Sequence, residues 1–306
     1  MSLYAGFDLG GSHLKYGIVN EIGKILFKEK AISPPSIEDL LLLIKKLWED
    51  IKKKSEEDVK AVGFGFPGIF SLIEHKTLQS PNYPSLDNFD LFPALSRSIE
   101  VPFWVDNDAN MAAYGEFKAG AGQGVQSMVL LTIGTGVGSG IILEGKLWQG
   151  KCGFAGELGH IIVNPDGEKC LCEGQGCLET EVSAPKIVKN YNVQKNSKMD
   201  ISAEEVFSRA KKGDKDAQKA FAQSGYYLGI GLASTINFLN PEKILLGGGV
   251  ISAWDYFLPP ALEEVQKRAY KASFECCTIE KAILGNDAGL TGCALWAKEQ
   301  LAEAEK

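Results

Sequence analysis

Three cysteines and one histidine lie close together near the middle of this 306-residue chain. Cys170, Cys172 and Cys177 follow His160, which ends the segment AGELGH. Three thiols and one imidazole form a complete tetrahedral ligand set for zinc. A disulfide framework and a chance cluster are the alternatives, and the odd count of seven cysteines argues against the first. The pattern therefore predicts a structural zinc site at these four residues.

Two glycine-rich turns, at 8–12 and 134–138, each follow an apolar segment. The first has the sequence DLGGS and the second GTGVG. Glycines let backbone N–H groups approach a phosphate closely, and Asp8 is a candidate ligand for the Mg²⁺ that accompanies a nucleotide. Alone, the first turn fits a tight hairpin equally well. The pair is the stronger signal, and it indicates a polyphosphate ligand.

A polar cluster spans Asp106–Asn110, at a predicted junction between a strand and a helix. Asp and Asn are preferred helix caps, so capping is the simplest interpretation. Four polar residues exceed what a cap requires, which favours a carboxylate base beside an amide that binds a hydroxyl. We predict that Asp108 is the base rather than Asp106, because a residue at the start of a helix projects outward whereas a strand end is partly buried.

Strands and helices alternate in the predicted order of elements, which indicates an α/β fold. The second half repeats the strand and turn arrangement of the first, so we expect two related α/β domains. We place the small domain at 1–107, with a C-terminal helix at 288–303 packing back on it. The large domain, at 108–287, then carries the zinc loop.

Composition excludes several classes of protein. The net charge of −7 and the dispersed lysines argue against nucleic acid as a partner. No apolar run approaches the roughly 20 residues of a membrane span. Because Met1 leads directly into an apolar strand with no secretory signal pattern, we expect a cytoplasmic protein without a membrane partner.

Seven segments in this order resemble the ROK family of sugar kinases and related repressors. They span nearly the whole chain: DLGGSH at 8–13, DNDANMAAYGE at 106–116, GTGVGSGI at 134–141, GELGH at 156–160, CLCEGQGCLE at 170–179, LGGGV at 246–250 and NDAGLTGCA at 286–294. The resemblance implies an actin-like ATPase (ribonuclease H-like) fold, in which two α/β domains close around a cleft. It also implies a structural Zn²⁺, Mg²⁺ with ATP, and a homodimer.

The resemblance further implies that the γ-phosphoryl group of ATP is transferred to the 6-hydroxyl of a hexose, with glucose the first candidate. Asp108 would be the catalytic base, and Asn107, Glu157, His160 and Glu179 would hold the sugar hydroxyls. One set of residues would bind ATP and its Mg²⁺: Asp8, Gly10, Gly11, Ser12, His13, Lys15, Thr135, Gly136, Gly247, Gly248 and Gly249. N-acetylmannosamine, N-acetylglucosamine and fructose are alternative substrates.

Two positions depart from the family pattern. His13 stands where Lys or Asn is usual, and Glu173 stands where glycine commonly follows the second cysteine. We expect Glu173 to be harmless if its backbone φ is negative. A non-catalytic sugar sensor and a structural zinc protein are the competing functions, and neither explains Asp108 together with both glycine-rich turns.

Overall fold

The computed structural model describes residues 2–80 and 83–306. It is a mixed α/β structure whose elements follow one another in this order: β1 (Leu3–Leu9), β2 (His13–Asn20), β3 (Ile25–Ile32), α1 (Ile37–Lys54), β4 (Val59–Phe66), β5 (Ile69–Ser71), β6 (Lys76–Gln79), α2 (Leu91–Leu95), β7 (Phe103–Asn107), α3 (Asp108–Ala119), β8 (Met128–Ile133), β9 (Val137–Leu143), β10 (Lys146–Leu147), α4 (Leu178–Val182), α5 (Ala184–Gln194), α6 (Ala203–Lys211), α7 (Lys215–Leu239), β11 (Lys243–Gly247), α8 (Trp254–Arg268), α9 (Lys271–Glu275), β12 (Thr278–Lys281) and α10 (Ala288–Ala304).

Two five-stranded sheets share one strand order. The first runs β3-β2-β1-β4-β7 and the second β10-β9-β8-β11-β12. In the first sheet β2 pairs antiparallel with β1 and β3, whereas β4 is parallel to β1 and β7. In the second, β10 is antiparallel to β9, and β11 is parallel to β8 and β12. The shared order confirms the interpretation of two related halves.

Helix α1 shows why local sequence predicts these elements well. The side chain of Ser36 caps its first turn by accepting from the backbone N–H of Asp39. Four apolar residues recur at helical spacing, and all of them are buried: Leu40, Ile44, Leu47 and Ile51. Its last turn carries the exposed lysines 52–54, where positive charge suits the negative end of the helix dipole.

Helix α10 packs on the first sheet through glycines. A Cβ on Gly63 of β4 would overlap the backbone of Cys293, and one on Gly6 would overlap the carbonyl oxygen of Leu290. The same helix meets α3, where Gly292 lies against the carbonyl oxygen of Met111. The C-terminal helix therefore packs in direct backbone contact with the elements that carry the N-terminal site residues.

The chain divides into two compact units. Unit 1 comprises 1–126, 140–156 and 282–306, and unit 2 comprises 127–139 and 157–281. This division differs from the boundary placed at Asn107, because α3 and residues 140–156 fall within unit 1. Helix α10 holds α3 in unit 1 through their glycine contacts. Among the described residues, no helix has the length and apolar character that a membrane span requires.

Candidate active site

Three parallel strands of unit 1 end at the same edge of their sheet. The pairing register aligns Asp8 of β1 with Gly65 of β4, and Gly65 with Asp106 of β7. Because the carboxyl ends of parallel strands meet at one edge, the two predicted polar segments, DLGGSH and DNDAN, lie on the same side of unit 1.

Asp8 is a buried carboxylate, 8% exposed, with two local sources of positive charge. Lys15 Nζ lies 2.9 Å from Asp8 Oδ2. The carboxylate also packs on the first turn of α10, where a Cβ on Gly289 would lie 2.6 Å from Oδ2. The N-terminal end of a helix favours negative charge. Lys15 and the first turn of α10 thereby hold the Asp8 carboxylate in place at the end of β1.

The turn at 10–12 joins β1 to β2 as a hairpin. The backbone N–H of Gly10 donates to the carbonyl oxygen of His13 at 2.9 Å. Gly11 and Ser12 are exposed, and Ser12 Oγ lies 3.0 Å from His13 Nδ1. The backbone therefore forms the tight hairpin that was one of the two interpretations of this turn. Gly11 and Ser12 at its tip are exposed and accessible to a phosphate.

Asn107 is the cap of helix α3. Its Oδ1 accepts from the backbone N–H groups of Ala109 and Asn110, at 2.8 and 3.1 Å. Its Nδ2 donates to the carbonyl oxygen of Gly68 at 2.9 Å. The capping interpretation thus accounts for the oxygen of this side chain, so any hydroxyl that Asn107 binds must accept from Nδ2. Asp108 follows as the first residue of α3 and is only partly buried.

Asp106 is buried, with 3% of its surface exposed. Its Oδ1 accepts from the backbone N–H of Asn107 at 2.6 Å and from Asn110 Nδ2 at 2.9 Å. Its Oδ2 accepts from Gln149 Nε2. Burial raises the pKa of Asp106 to about 6, against the opposing effect of these hydrogen bonds. Asp106 therefore anchors the segment around Asp108 through buried hydrogen bonds and is not exposed to a ligand.

Unit 2 has an equivalent edge, at the ends of β8 and β11. Gly247 pairs with Thr132, and Gly248, with φ 88°, packs on the backbone of Ile133. The turn at 134–138 begins directly after Ile133, and Thr135 at its tip is exposed. Only glycine fits the left-handed conformation and the close approach at 248. The structure thus brings the two predicted nucleotide segments of unit 2, 134–138 and 247–249, together.

The four predicted zinc ligands converge in unit 2. Their ligand atoms all lie within 4.8 Å of one another. Cys170 Sγ is 3.6 Å from His160 Nδ1, and Cys172 Sγ is 3.6 Å from Cys177 Sγ. A tetrahedral zinc ion with ordinary bond lengths requires separations of about 3.6 Å between S and N and about 3.8 Å between two sulfurs. The donor types and spacings fit zinc.

The orientation of His160 gives its two ring nitrogens different environments. Nδ1 faces the cysteines, whereas Nε2 lies 3.9 Å from Glu157 Oε2. Glu179, at the start of α4, accepts from the backbone N–H of Val137 at 2.8 Å. Its other oxygen lies 3.9 Å from Cys170 Sγ. Glu157 and Glu179 therefore lie beside members of the metal cluster, and Glu179 also links the cluster to the turn at 134–138.

The zinc loop departs from one expectation. Glu173 has φ 70°, in the left-handed region, so the condition under which this residue would be harmless is not met. The conformation explains why glycine is common at this position, since a side chain there is strained by about 1 kcal/mol. The turn forms nonetheless: the backbone N–H of Glu173 donates to Cys170 O at 3.0 Å.

Sequence reasoning missed two residues that hold the site. Gln149 reaches Asp106 from 43 positions away, and Gly289 packs on Asp8 from the other end of the chain. Gly289 lies inside the segment NDAGLTGCA, which carries part of the family resemblance but in which no residue has an assigned role. Nothing in the local sequence around Gln149 indicates that it contacts Asp106.

The strand order and the site residues define a protein with the actin-like ATPase fold, as in the solved ROK kinase structures. The chain belongs to the ROK family, whose model matches residues 4–300. It is 35% identical to the glucokinase of Halalkalibacterium halodurans, over 99% of this chain and 97% of that protein. It is 30% identical to the xylose repressor of Caldicellulosiruptor bescii, over 94% of this chain and 76% of that protein.

A solved structure agrees closely. The ROK family glucokinase from Streptomyces griseus, in complex with glucose and AMPPNP, matches with a TM-score of 0.85 at 32% identity. The match covers 97% of this chain and all of that one. That protein thus holds a sugar and an ATP analogue on a fold that this chain shares.

Proposed function

We propose that this protein is an ATP-dependent hexokinase that phosphorylates the 6-hydroxyl of glucose. The observation that carries the proposal is Asp108, a partly buried carboxylate at the start of α3, directly after the Asn107 cap, whose backbone N–H donates to the buried Asp106. The glucokinase relatives and the glucose complex of the Streptomyces griseus protein support the choice of sugar.

In unit 1, Asp108 accepts the proton of the 6-hydroxyl as that oxygen attacks the γ-phosphorus of ATP. The bond between the γ-phosphorus and the β,γ-bridging oxygen breaks, and ADP leaves with the bonding electron pair. Mg²⁺, when bound, neutralises phosphate charge. Asp8 is the residue that would hold it, while Lys15 and the turn at 10–13, in which Gly11 and Ser12 are exposed, contact phosphate oxygens.

In unit 2, Glu157, His160 and Glu179 bind sugar hydroxyls. His160, through Nδ1, and the three cysteines would hold a structural Zn²⁺, and Nε2 of His160 would then remain for a sugar hydroxyl. The exposed turn at 134–136 contacts phosphate, and 247–249 contacts the adenosine. These assignments rest on the family resemblance and on the local geometry of each unit.

A sugar sensor is the second candidate, because xylose repressors are among the relatives. A sensor needs the sugar-binding residues but has no need of a base. The presence of Asp108, with the local support that Asp106 and Asn107 give it, favours the kinase.

The test is ADP release from Mg-ATP with glucose, mannose, fructose, N-acetylglucosamine and N-acetylmannosamine. We expect the highest kcat/KM with glucose and a loss of kcat of at least about 100-fold in Asp108→Asn. Preference for another sugar would correct the substrate alone. Sugar binding without turnover in the wild type, equally strong in Asp108→Asn, would establish the sensor.

A further inference from the structure

A nearly buried lysine on α5 contacts two carboxylates in unit 2. Lys186 Nζ lies 2.7 Å from Glu168 Oε1 and 3.1 Å from Glu181 Oε2. The side chain of Lys186 is 11% exposed and that of Glu181 only 2%. These groups lie outside the predicted zinc and sugar ligands.

The two carboxylates belong to segments on either side of the cysteine cluster. Glu168 precedes Cys170 by two residues, in the loop that carries the cysteines. Glu181 follows Glu179 by two residues in helix α4, which begins directly after Cys177. Lys186 thus joins the loop to the helix that presents a proposed sugar ligand.

Further hydrogen bonds extend this connection. Asn164 Nδ2 donates to Glu181 Oε1 at 2.8 Å and to Tyr227 Oη at 3.1 Å. The backbone N–H of Asn164 donates to Gly176 O at 3.1 Å, and that of Gly176 donates to Glu168 O at 2.8 Å. Both ends of the loop at 164–177 are therefore connected to the Glu181–Lys186 pair.

Lys186 and its neighbour Lys189 differ in how far their side chains are exposed, and therefore in how much their ion pairs contribute to stability. Lys189 also contacts Glu168, at 2.6 Å, but its side chain is 58% exposed, and an exposed pair of this kind contributes little stability. Removing Lys186 would leave the Glu181 carboxylate buried without its cation, which is strongly destabilising. Burial opposes the charge of Lys186, yet hydrogen bonds with Glu168 and Glu181 outweigh it and raise the lysine pKa.

We propose that Lys186 is a positioning residue: it fixes the loop at 164–177 against helix α4 and thereby sets the geometry of the zinc ligands and of Glu179. The part that concerns Glu179 and the sugar rests on the proposed function. The part that concerns the metal does not.

The test measures two quantities on the zinc-loaded full chain. The first is the rate of zinc release to a chromogenic chelator, and the second is KM and kcat for glucose. We expect Lys186→Met to release zinc about 10-fold faster or more. We also expect a several-fold increase in KM for glucose with kcat nearly unchanged, since Asp108 lies on other elements.

Three further variants make the result specific. Lys189→Met is the matched control, because it removes a cation from the same Glu168 at the surface, and it should behave as wild type. Lys186→Arg keeps the charge and should restore slow release. If Lys186→Met does not fold, Glu168→Gln serves instead, because it breaks the link to the loop while the buried pair stays intact.

Zinc release and KM at wild-type values in folded Lys186→Met, or in Glu168→Gln, would overturn the proposal. An equal increase in zinc release for Lys189→Met would overturn it too, because the effect would then follow surface charge. Absence of any hexokinase activity in the wild type would refute the proposed function, and zinc release would still decide the role of Lys186.

Discussion

Asp106 and Asp108 are two positions apart, yet their surroundings give them different chemistry. Asp106 ends a strand and is buried among three donors, which hold its carboxylate in place. Asp108 begins a helix and is partly exposed. Environments that separate neighbouring carboxylates in this way assign them different roles. A base must reach its substrate, and the buried carboxylate cannot.

The raised pKa of Asp106 predicts a pH dependence of stability. Between an ordinary pKa of 3.8 and the folded pKa of about 6, the folded state keeps a proton that the unfolded chain has lost. Stability contributed by this group is therefore full at low pH and falls as pH rises through 6. The full difference corresponds to about 3 kcal/mol, of which about 1.4 kcal/mol is lost between pH 5.0 and 7.5. We expect Asp106→Asn to lack this decline, measured by urea unfolding at pH 5.0 and 7.5.

Asp58→Asn is the matched control, because Asp58 is an exposed carboxylate of unit 1. This variant should lose stability between the two pH values as the wild type does. The same loss in Asp106→Asn would show that Asp106 does not carry the effect.

At the residue scale, the sequence indicates candidate groups for the chemistry but not the residues that support them. The preference for Asp108 over Asp106 followed from their positions at a helix start and a strand end. Asp106 is buried, which agrees with the expectation that the strand end is the more buried of the two. The contact between Gln149 and Asp106 could not be predicted, because it depends on where a distant loop folds. The left-handed conformation of Glu173 likewise follows from the turn that brings the cysteines together, not from local propensity.

At the scale of elements, the crossing of α3 and α10 depends on glycine. A Cβ on Gly292 would overlap the carbonyl oxygen of Met111, and one on Gly115 would overlap that of Ala288. We expect Gly292→Ala to lower the free energy of unfolding by at least about 3 kcal/mol, because the helices must separate. The measurement is chemical denaturation at constant pH.

Gly231→Ala in the middle of α7 is the comparison. A Cβ there meets only the side chain of Leu178, at 3.0 Å, and alanine favours helix by up to about 1 kcal/mol. The two effects nearly cancel, so this variant should be close to wild type. Similar losses in both variants would mean that helix crossing is not the cause.

The zinc loop is the second element that permits a direct test. Elemental analysis of the purified wild type should give one zinc per chain. Cys172→Ser should reduce that content, lower the folded yield and weaken sugar binding, because a lost thiolate leaves three ligands. Cys276→Ser replaces an exposed cysteine outside the cluster and should keep full zinc. Full zinc in Cys172→Ser would remove this residue from the ligand set.

The local sequence pattern predicts individual elements closely, whereas the extent of unit 1 differs from the boundary placed at Asn107. The apolar runs at 3–9 and 14–20, each bounded by turn residues, predict strands, and strands form at Leu3–Leu9 and His13–Asn20. Unit 1 extends beyond the boundary placed at Asn107, because it includes α3, which packs on α10 through residues far apart in the sequence, such as Gly115 and Ala288. Periodicity within one segment carries no information about such pairings.

At the scale of the molecule, ligand binding should stabilise the folded state by mass action. A ligand that binds only the native protein, at 100 times its Kd, adds about 2.7 kcal/mol. For a protein of this size we expect glucose to raise Tm by about 5 °C. Thermal unfolding of zinc-loaded protein in glucose, with xylose for comparison, measures the effect.

Two variants separate binding from chemistry in that experiment. Asp108→Asn should keep most of the glucose shift while losing turnover, because the base acts on the proton that moves during phosphoryl transfer. Glu179→Gln should lose most of the shift, because this residue is proposed to hold a sugar hydroxyl, and its contact with Val137 N–H ties it to the turn at 134–138. An equal shift in Glu179→Gln and wild type would exclude Glu179 from sugar binding, whereas a shift with xylose alone would favour the sensor over the kinase.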